Sequence, residues 1–268
     1  MADPLLLLSV TGLMAQVPAA LIAWRERPER AGVLFWSTLA VAFAGAGAVL
    51  SVKLGQGWNG GFAVALWLSV AITLLLHGLV VLLRPVAVRL TPLLLPYLLL
   101  LAALAVVWDV AAGVAPAAPP AWAWFWVHIA AGLVTYALTT LAAVAGLGVV
   151  LQERALKRRR PDGATARLPT VADGERLEFR LLAWAFAVLG AGIASGMALE
   201  WNETGRLLIG DHKTLLSLAA FAIIGLVLLL AAQRGLRGRR AARVVLVAWL
   251  LLTLAYTGVK FVTDILLA

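Results

Sequence analysis

The stretch GFAVALWLSVAITLLLHGLVVLL, residues 61–83, decides the fold class of this chain. Its one ionisable side chain is His77, and roughly 20 apolar residues are enough for a helix to cross the hydrocarbon core of a bilayer. An extended strand in lipid would leave its backbone N–H and C=O groups without partners. The segment is therefore predicted to be a transmembrane helix.

Comparable apolar runs follow one another along the chain. They cover about residues 4–24, 33–52, 61–83, 90–112, 124–151, 180–200, 213–233 and 244–263. Gln16 and Pro18 interrupt the first of them. Hydrophobic residues make up 63% of the 268 positions and charged residues only 13%, whereas about a quarter of a soluble domain is charged. We predict an all-α fold, a polytopic integral membrane helix bundle of about eight transmembrane helices, forming a single membrane domain over residues 1–268.

The basic residues predict how the helices are oriented. All but four of the 22 lie in the loops at 25–30, 84–89, 152–180 and 234–243. The four others are Lys53, Arg206, Lys213 and Lys260. Because short loops rich in Lys and Arg stay in the cytoplasm, both termini are predicted to lie outside, with 152–180 as a solvated cytoplasmic loop near anionic lipid. The net charge of +9 thus indicates the lipid bilayer as partner, and no nucleic acid.

All three histidines lie in or at the edge of predicted helices, where ionisable groups are costly and are candidates for function. His128 opens the fifth helix, just after an aromatic run that contains Trp124 and Trp126. One interpretation is an interfacial aromatic belt with a His beside it, and the other is a ligand next to flat aromatic walls. Ala131 and Gly132, one turn further on, permit the close approach of a flat group or of another helix.

His212 lies at the outer start of the seventh helix, directly after Asp211. Asp211 suits the N-cap position, or it could fix the tautomer of a neighbouring imidazole. The predicted topology puts His212 and His128 at the same outer face. Two neutral imidazoles on facing helices can hold haem iron in a membrane bundle, so a bis-histidine site is predicted, with hydrogen bonds across helices as its alternative.

His77 lies about 24 Å below the outer surface at 1.5 Å per residue, too deep to share a small site with the other two histidines. It is expected to bond to Thr73 or to a neighbouring helix, or to form a second, inner site. Asp109, at the outer end of the fourth helix, is a candidate neighbour of His212 or Lys213.

Several function classes are disfavoured. The chain has no cysteine, which excludes thiolate ligation of haem and iron–sulfur clusters. It has no phosphate-binding loop, no His-Glu-x-x-His and no recognisable serine nucleophile, so no enzymatic activity is indicated. A small-solute transporter would need a polar path, and the predicted helices carry few polar residues.

The C-terminal half resembles a known family through an ordered set of short motifs. They are His128-Ile129 with Thr135-Tyr136-Ala137, Gly196 with Trp201-Asn202 and Asp211-His212-Lys213-Thr214, and Gly235-Leu236-Arg237-Gly238-Arg239-Arg240 with Leu254-Ala255-Tyr256-Thr257-Gly258-Val259-Lys260-Phe261. The order and spacing are similar to the cytochrome c assembly family, and to its short, eight-helix, HemX-like branch, related to the CcsA and CcmC haem-handling proteins. The resemblance covers about residues 120–268.

The resemblance implies a haem-binding protein of the bacterial inner (plasma) membrane that assists cytochrome c assembly. The implied cofactor is b-type haem, and the candidate cofactor-binding residues are His77, Trp124, Trp126, His128, Asp211 and His212. Among them His128 and His212 are the expected iron ligands, with Trp124 or Trp126 against the macrocycle.

Apocytochrome c or another cytochrome assembly protein is the implied protein partner. Between Glu200 and Asp211 the chain keeps Trp201 but lacks the further tryptophans that haem-transferring members have there, so the resemblance implies haem binding more than haem transfer. The alternative function is a cofactor-free membrane scaffold or regulatory partner of another membrane complex.

Overall fold

A computed structural model shows how these helices pack. It describes residues 4–25, 31–55, 61–111, 123–158, 163, 165–205, 212–258 and 261–262. The α-helices in these ranges are α1 (Pro4–Met14), α2 (Val17–Arg25), α3 (Val33–Gly55), α4 (Phe62–Leu83), α5 (Thr91–Ala111), α6 (Ala123–Lys157), α7 (Val171–Thr204), α8 (His212–Arg234) and α9 (Gly238–Thr253). Short 3-10 helices cover Pro85–Leu90 and Thr165–Arg167, and a π-helical turn covers Leu254–Gly258.

The prediction of an all-α, multi-pass membrane protein is confirmed. In the described ranges the structure has no strand, and seven helices are long and apolar enough to cross a membrane, with α1 and α2 together forming the first. The eighth predicted segment corresponds to α9, which has 16 residues, and to the π-helical turn after it.

The first span is broken where the sequence analysis placed the interruption. Pro18 has no N–H to donate to the carbonyl of Met14, and its ring crowds the preceding turn. The chain tightens instead, and the N–H of Gln16 bonds to the carbonyl of Leu13 at 3.1 Å. The membrane helix thus continues as two pieces, α1 and α2.

The prediction of one loop over 152–180 is wrong at both ends. α6 continues to Lys157 and α7 begins at Val171. Thr170 caps α7, because its hydroxyl oxygen accepts the backbone N–H of Asp173 at 3.2 Å. Arg, Lys and Glu are good helix formers, so the loss of hydropathy marks the membrane edge and not the end of the helix.

The chain divides into two compact units. Unit 1 comprises Met1–Pro119, Arg158–Pro169 and Lys260–Ala268, and unit 2 comprises Pro120–Lys157 and Thr170–Val259. In each unit the helices pack in chain order as a ring of four. The α1–α2 span, α3, α4 and α5 form the ring of unit 1, and α6, α7, α8 and α9 form that of unit 2. A single membrane domain over the whole chain stays a prediction.

One end of unit 1 is held by a buried ion pair. Lys53 Nζ lies 2.6 Å from Asp109 Oδ1, and both side chains are almost fully buried. Ser9 Oγ donates to the other carboxylate oxygen, Oδ2, at 2.6 Å. The carboxylate of Asp109 therefore joins α1, α3 and α5. The sequence alone suggests His212 or Lys213 as its neighbour, and the side chains of these two residues lie outside the described part of the chain.

In unit 2, α7 and α8 lock together through two Phe–Gly contacts. Phe186 and Phe221 stack with ring centroids 4.3 Å apart and planes 10° from parallel. A Cβ added at Gly190 would lie 3.1 Å from the ring of Phe221, and one at Gly225 would lie 3.0 Å from the ring of Phe186. Each ring thus covers a glycine of the other helix, which fixes the antiparallel register of the pair.

Candidate functional site

The site is built around His128, near the first turn of α6, where this helix packs against α7. Nδ1 of His128 lies 2.9 Å from the hydroxyl of Ser195 and 3.2 Å from the carbonyl oxygen of Gly192. The hydroxyl of Ser195 itself donates to the carbonyl of Gly192 at 2.7 Å. Both residues belong to α7, so α7 holds the imidazole of His128, which belongs to α6.

These contacts assign the tautomer of His128. A carbonyl oxygen only accepts hydrogen bonds, and the Ser195 hydroxyl already donates its hydrogen to the carbonyl of Gly192. Nδ1 must therefore carry a hydrogen to suit both neighbours, and Nε2 keeps its lone pair. Within the described ranges, Nε2 of His128 makes no hydrogen bond. An imidazole that donates from one nitrogen to a carbonyl and offers the other is the usual arrangement of a metal ligand.

Gly196 gives the imidazole its place. A Cβ added there would lie 3.0 Å from Cε1 of His128 and 3.5 Å from Nδ1, closer than side chains normally pack. The ring therefore lies directly on the backbone of α7. Gly196 and His128, which belong to two different motifs of the resemblance, are thus in contact in the structure.

Trp124 shares the same anchor on α7. Its Nε1 donates to the backbone carbonyl of Ser195 at 3.2 Å, and its side chain remains 47% exposed. Since Trp124 precedes His128 by four residues, the two side chains lie on one face of α6. Trp126 is two residues from His128 and points away from that face. The structure thus brings Trp124, and not Trp126, to the imidazole.

The same face of α6 is open one turn beyond the imidazole. Gly132 lies four residues after His128, and within the described ranges no atom comes within 4 Å of a Cβ added there. Ala131, by contrast, packs toward Gly192 of α7. Ala131 thus contributes to the packing of α6 against α7, whereas Gly132 leaves open space on the face of α6 that carries His128.

The helix registers indicate how far the backbone of His212 lies from the level of His128. His128 contacts Gly196 of α7. If the Phe–Gly register of α7 and α8 continues outward, the first residue of α8, His212, lies opposite Leu199. By this register the two histidines would be separated by three residues of helical rise, about 4.5 Å. The α6 and α8 helices lie across the ring, each packed between α7 and α9. The side chain of His212 and residue Asp211 lie outside the described residues, so their pairing with His128 and the capping by Asp211 stay predictions.

His77 belongs to unit 1 and has a different environment. Its side chain is fully buried, and Nε2 lies 3.0 Å from the hydroxyl of Thr91 at the start of α5. Thr91 donates its own proton to the carbonyl of Val88 at 2.6 Å, so Nε2 of His77 carries the hydrogen. Of the partners considered, the neighbouring helix is correct, whereas Thr73 bonds within its own helix to Ser69.

Sequence reasoning missed Ser195 and Gly192. The signal was present, because Ser195 is a polar residue in an apolar stretch beside Gly196, and Gly192 lies one turn before it. Small and hydroxyl-bearing residues of this kind mark contacts between membrane helices. What the sequence lacks is the register between α6 and α7, which selects the imidazole that they contact.

Comparisons with known proteins identify the family of the chain. The family model described as Cytochrome C assembly protein matches residues 31–267, so the similarity includes N-terminal helices that the motifs did not reach. The chain is 47% identical over 263 residues to an Azospirillum brasilense protein, described as an uncharacterized 28.8 kDa protein in a nifR3-like 5′ region, covering 97% of both chains. No solved structure matches the chain.

Proposed function

Since this chain belongs to the cytochrome c assembly protein family, we propose that it binds b-type haem through His128 at the end of unit 2. Family membership supports a role in cytochrome c assembly. The observation that carries the proposed haem site is that Nδ1 of His128 is held by Ser195 and Gly192 of α7, whereas Nε2 has no hydrogen-bond partner in the described ranges.

The residues around His128 suit a planar macrocycle. If the imidazole of His128 held the iron, the macrocycle would lie close to α6, and the open space beside Gly132 would leave room for it. The half-exposed indole of Trp124 lies on the other side of His128 along the same face. When bound, haem would supply iron redox and ligand chemistry, and the protein would orient it through these three residues.

His212 is the second residue proposed to hold the iron. Helix α8 lies across the four-helix ring from α6, so a planar group held between these two helices would have His128 on one side and His212 on the other. Two imidazoles would give a low-spin iron, and one would leave a position for another ligand. Asp211 and Trp126 are assigned no direct contact.

The location and the partners follow from the same proposal. We place the protein in the bacterial inner membrane with both termini outside, since the basic loops then face the cytoplasm. The His128 end of unit 2 then faces the side on which c-type cytochromes are assembled. Apocytochrome c or another assembly protein is the proposed partner. The site at His128 would hold the haem on the side of the membrane where this partner lies.

Haem content and spin state of purified variants test this proposal. We expect the wild-type protein in detergent to carry haem with a low-spin spectrum. His128→Ala should lose most of it, and His212→Ala should give a high-spin spectrum. His77→Ala is the matched control, because His77 is buried in unit 1 and its Nε2 is bonded to Thr91.

Two outcomes would contradict the proposal. A wild-type protein without a Soret band, after reconstitution with haem, would favour the cofactor-free scaffold. Equal haem retention in His128→Ala and the wild type would place the ligand elsewhere in the chain.

A further inference from the structure

We propose that the hydroxyl of Ser195 is the positioning group that fixes the Nδ1–H tautomer of His128 and so makes Nε2 the iron ligand. The inference rests on the proposed function in one respect, since it assumes that His128 binds haem. Its structural part, the control of the tautomer, applies to the haem-free protein as well.

The geometry shows why the hydroxyl and not the carbonyl is the main partner. Nδ1 of His128 lies 2.9 Å from Ser195 Oγ and 3.2 Å from the oxygen of Gly192. The shorter contact is the stronger hydrogen bond. Ser195 is 5% exposed, so water competes little for its lone pairs.

The hydroxyl is also prepared to accept. Its proton is directed to Gly192 by a 2.7 Å bond within the same turn of α7, so only its lone pairs face the imidazole. A hydroxyl that donates to a carbonyl becomes a better acceptor, because hydrogen bonds in a chain polarise one another. The carbonyl of Gly192 also accepts from Nδ1, but at the longer distance of 3.2 Å, so without the hydroxyl it favours the Nδ1–H tautomer less strongly than the two acceptors do together.

The tautomer decides how strongly His128 binds a metal. A ligating imidazole that donates its other N–H to an acceptor is a more basic ligand, and loss of such a partner typically costs about tenfold or more in metal affinity. Ser195 is thus expected to strengthen haem retention and to favour ferric over ferrous iron, which lowers the reduction potential.

Replacing the hydroxyl leaves the neighbouring contacts in place. Trp124 bonds to the backbone carbonyl of Ser195, and the carbonyl of Gly192 is also backbone, so Ser195→Ala removes only the hydroxyl. Ser195→Thr keeps it. Ser69→Ala is the matched control, since Ser69 is a fully buried helical serine whose hydroxyl donates to the carbonyl of Ala65 at 2.8 Å.

The first measurement is ¹⁵N NMR of the histidine rings in the haem-free full-length protein. His77, protonated at Nε2 through its contact with Thr91, is an internal reference for the opposite tautomer. The His128 signals, assigned by their loss in His128→Ala, should show a protonated Nδ1 in the wild type, Ser195→Thr and Ser69→Ala. In Ser195→Ala the protonated-Nε2 form should become populated.

The second measurement is the reduction potential and haem affinity after reconstitution. Ser195→Ala should have a higher potential and about tenfold weaker binding, and Ser69→Ala should match the wild type. A His128 tautomer unchanged in Ser195→Ala would overturn the inference. A wild-type protein that binds no haem would instead contradict the proposed function, because the NMR comparison judges Ser195 without the cofactor.

Discussion

His77 and His128 show how the same residue type takes opposite roles within one chain. His77 uses Nε2 to bond to Thr91 inside the packed core of unit 1. His128 uses Nδ1 to bond to Ser195 at a partly exposed helix end. Only the second arrangement leaves the less hindered Nε2 available, and the difference comes from the neighbouring helix rather than from the residues adjacent in sequence.

Gly196 allows a direct test of the imidazole position. Gly196→Ala would place a methyl group 3.0 Å from Cε1 of His128, so the ring must shift by some tenths of an ångström. We expect weaker haem retention at a cost in stability of about 1 kcal/mol. Gly47→Ala is the control, because no described atom lies within 4 Å of its added Cβ. Equal haem affinity in both variants, measured by haem titration, would show that the ring position does not matter.

At the site, the residue types could be predicted from the sequence but their contacts could not. Hydropathy and the motifs selected His128 and Trp124, because polar and aromatic residues are conspicuous in an apolar chain. The role of Ser195 depends on the register of α6 against α7. That register is set by contacts such as Gly196 beneath the imidazole, which no local pattern encodes.

Helices were predicted well where lipid alone dictates them. The bounds of α3, α4 and α5 follow the apolar runs, because a membrane span must satisfy its own backbone. The end of α6 and the start of α7 were not predicted, since both helices continue beyond the apolar runs with charged residues. The start of α7 is fixed by the Thr170 cap. The ion pair of Lys53 with Asp109 was also missed, because its partners are 56 residues apart.

That ion pair is expected to hold α3 to α5. Lys53→Met would leave the carboxylate of Asp109 buried without its cation, which should cost about 3 kcal/mol. Lys157→Met, at an exposed position, should change little. Thermal unfolding in detergent measures both. If Lys53→Met unfolded at the same temperature as the control, the pair would contribute nothing to the packing of unit 1.

Restoring an apolar contact should recover much of that loss. The double variant Lys53→Met with Asp109→Leu has no charge at either position of the pair. Replacement of a buried ion pair by packed apolar side chains is often close to neutral in stability. The double variant is therefore expected to unfold nearer to the wild type than Lys53→Met does.

For the whole molecule, the distribution of charge along the chain predicts one orientation in the membrane. Because the chain has no cysteine, single cysteines can report it. Gly163→Cys, at an exposed position in unit 1, should react with an impermeant maleimide only after spheroplasts are permeabilised. Gly55→Cys, at the C-terminal end of α3, should lie on the outer side and react in intact spheroplasts.

The reverse labelling pattern would invert this topology. It would then place the His128 end of unit 2 in the cytoplasm, away from the assembly of c-type cytochromes. The proposed haem ligation would remain possible, but the proposed partner on the outer side would be wrong.

The most direct test of haem ligation by His128 is chemical rescue. His128→Gly removes the imidazole and leaves a space of the same shape, and the reconstituted variant should bind little haem. Added free imidazole should restore the Soret band and the low-spin spectrum in proportion to its concentration. His77→Gly should bind haem without added imidazole. Undiminished haem binding by His128→Gly, with no response to imidazole, would contradict ligation by His128.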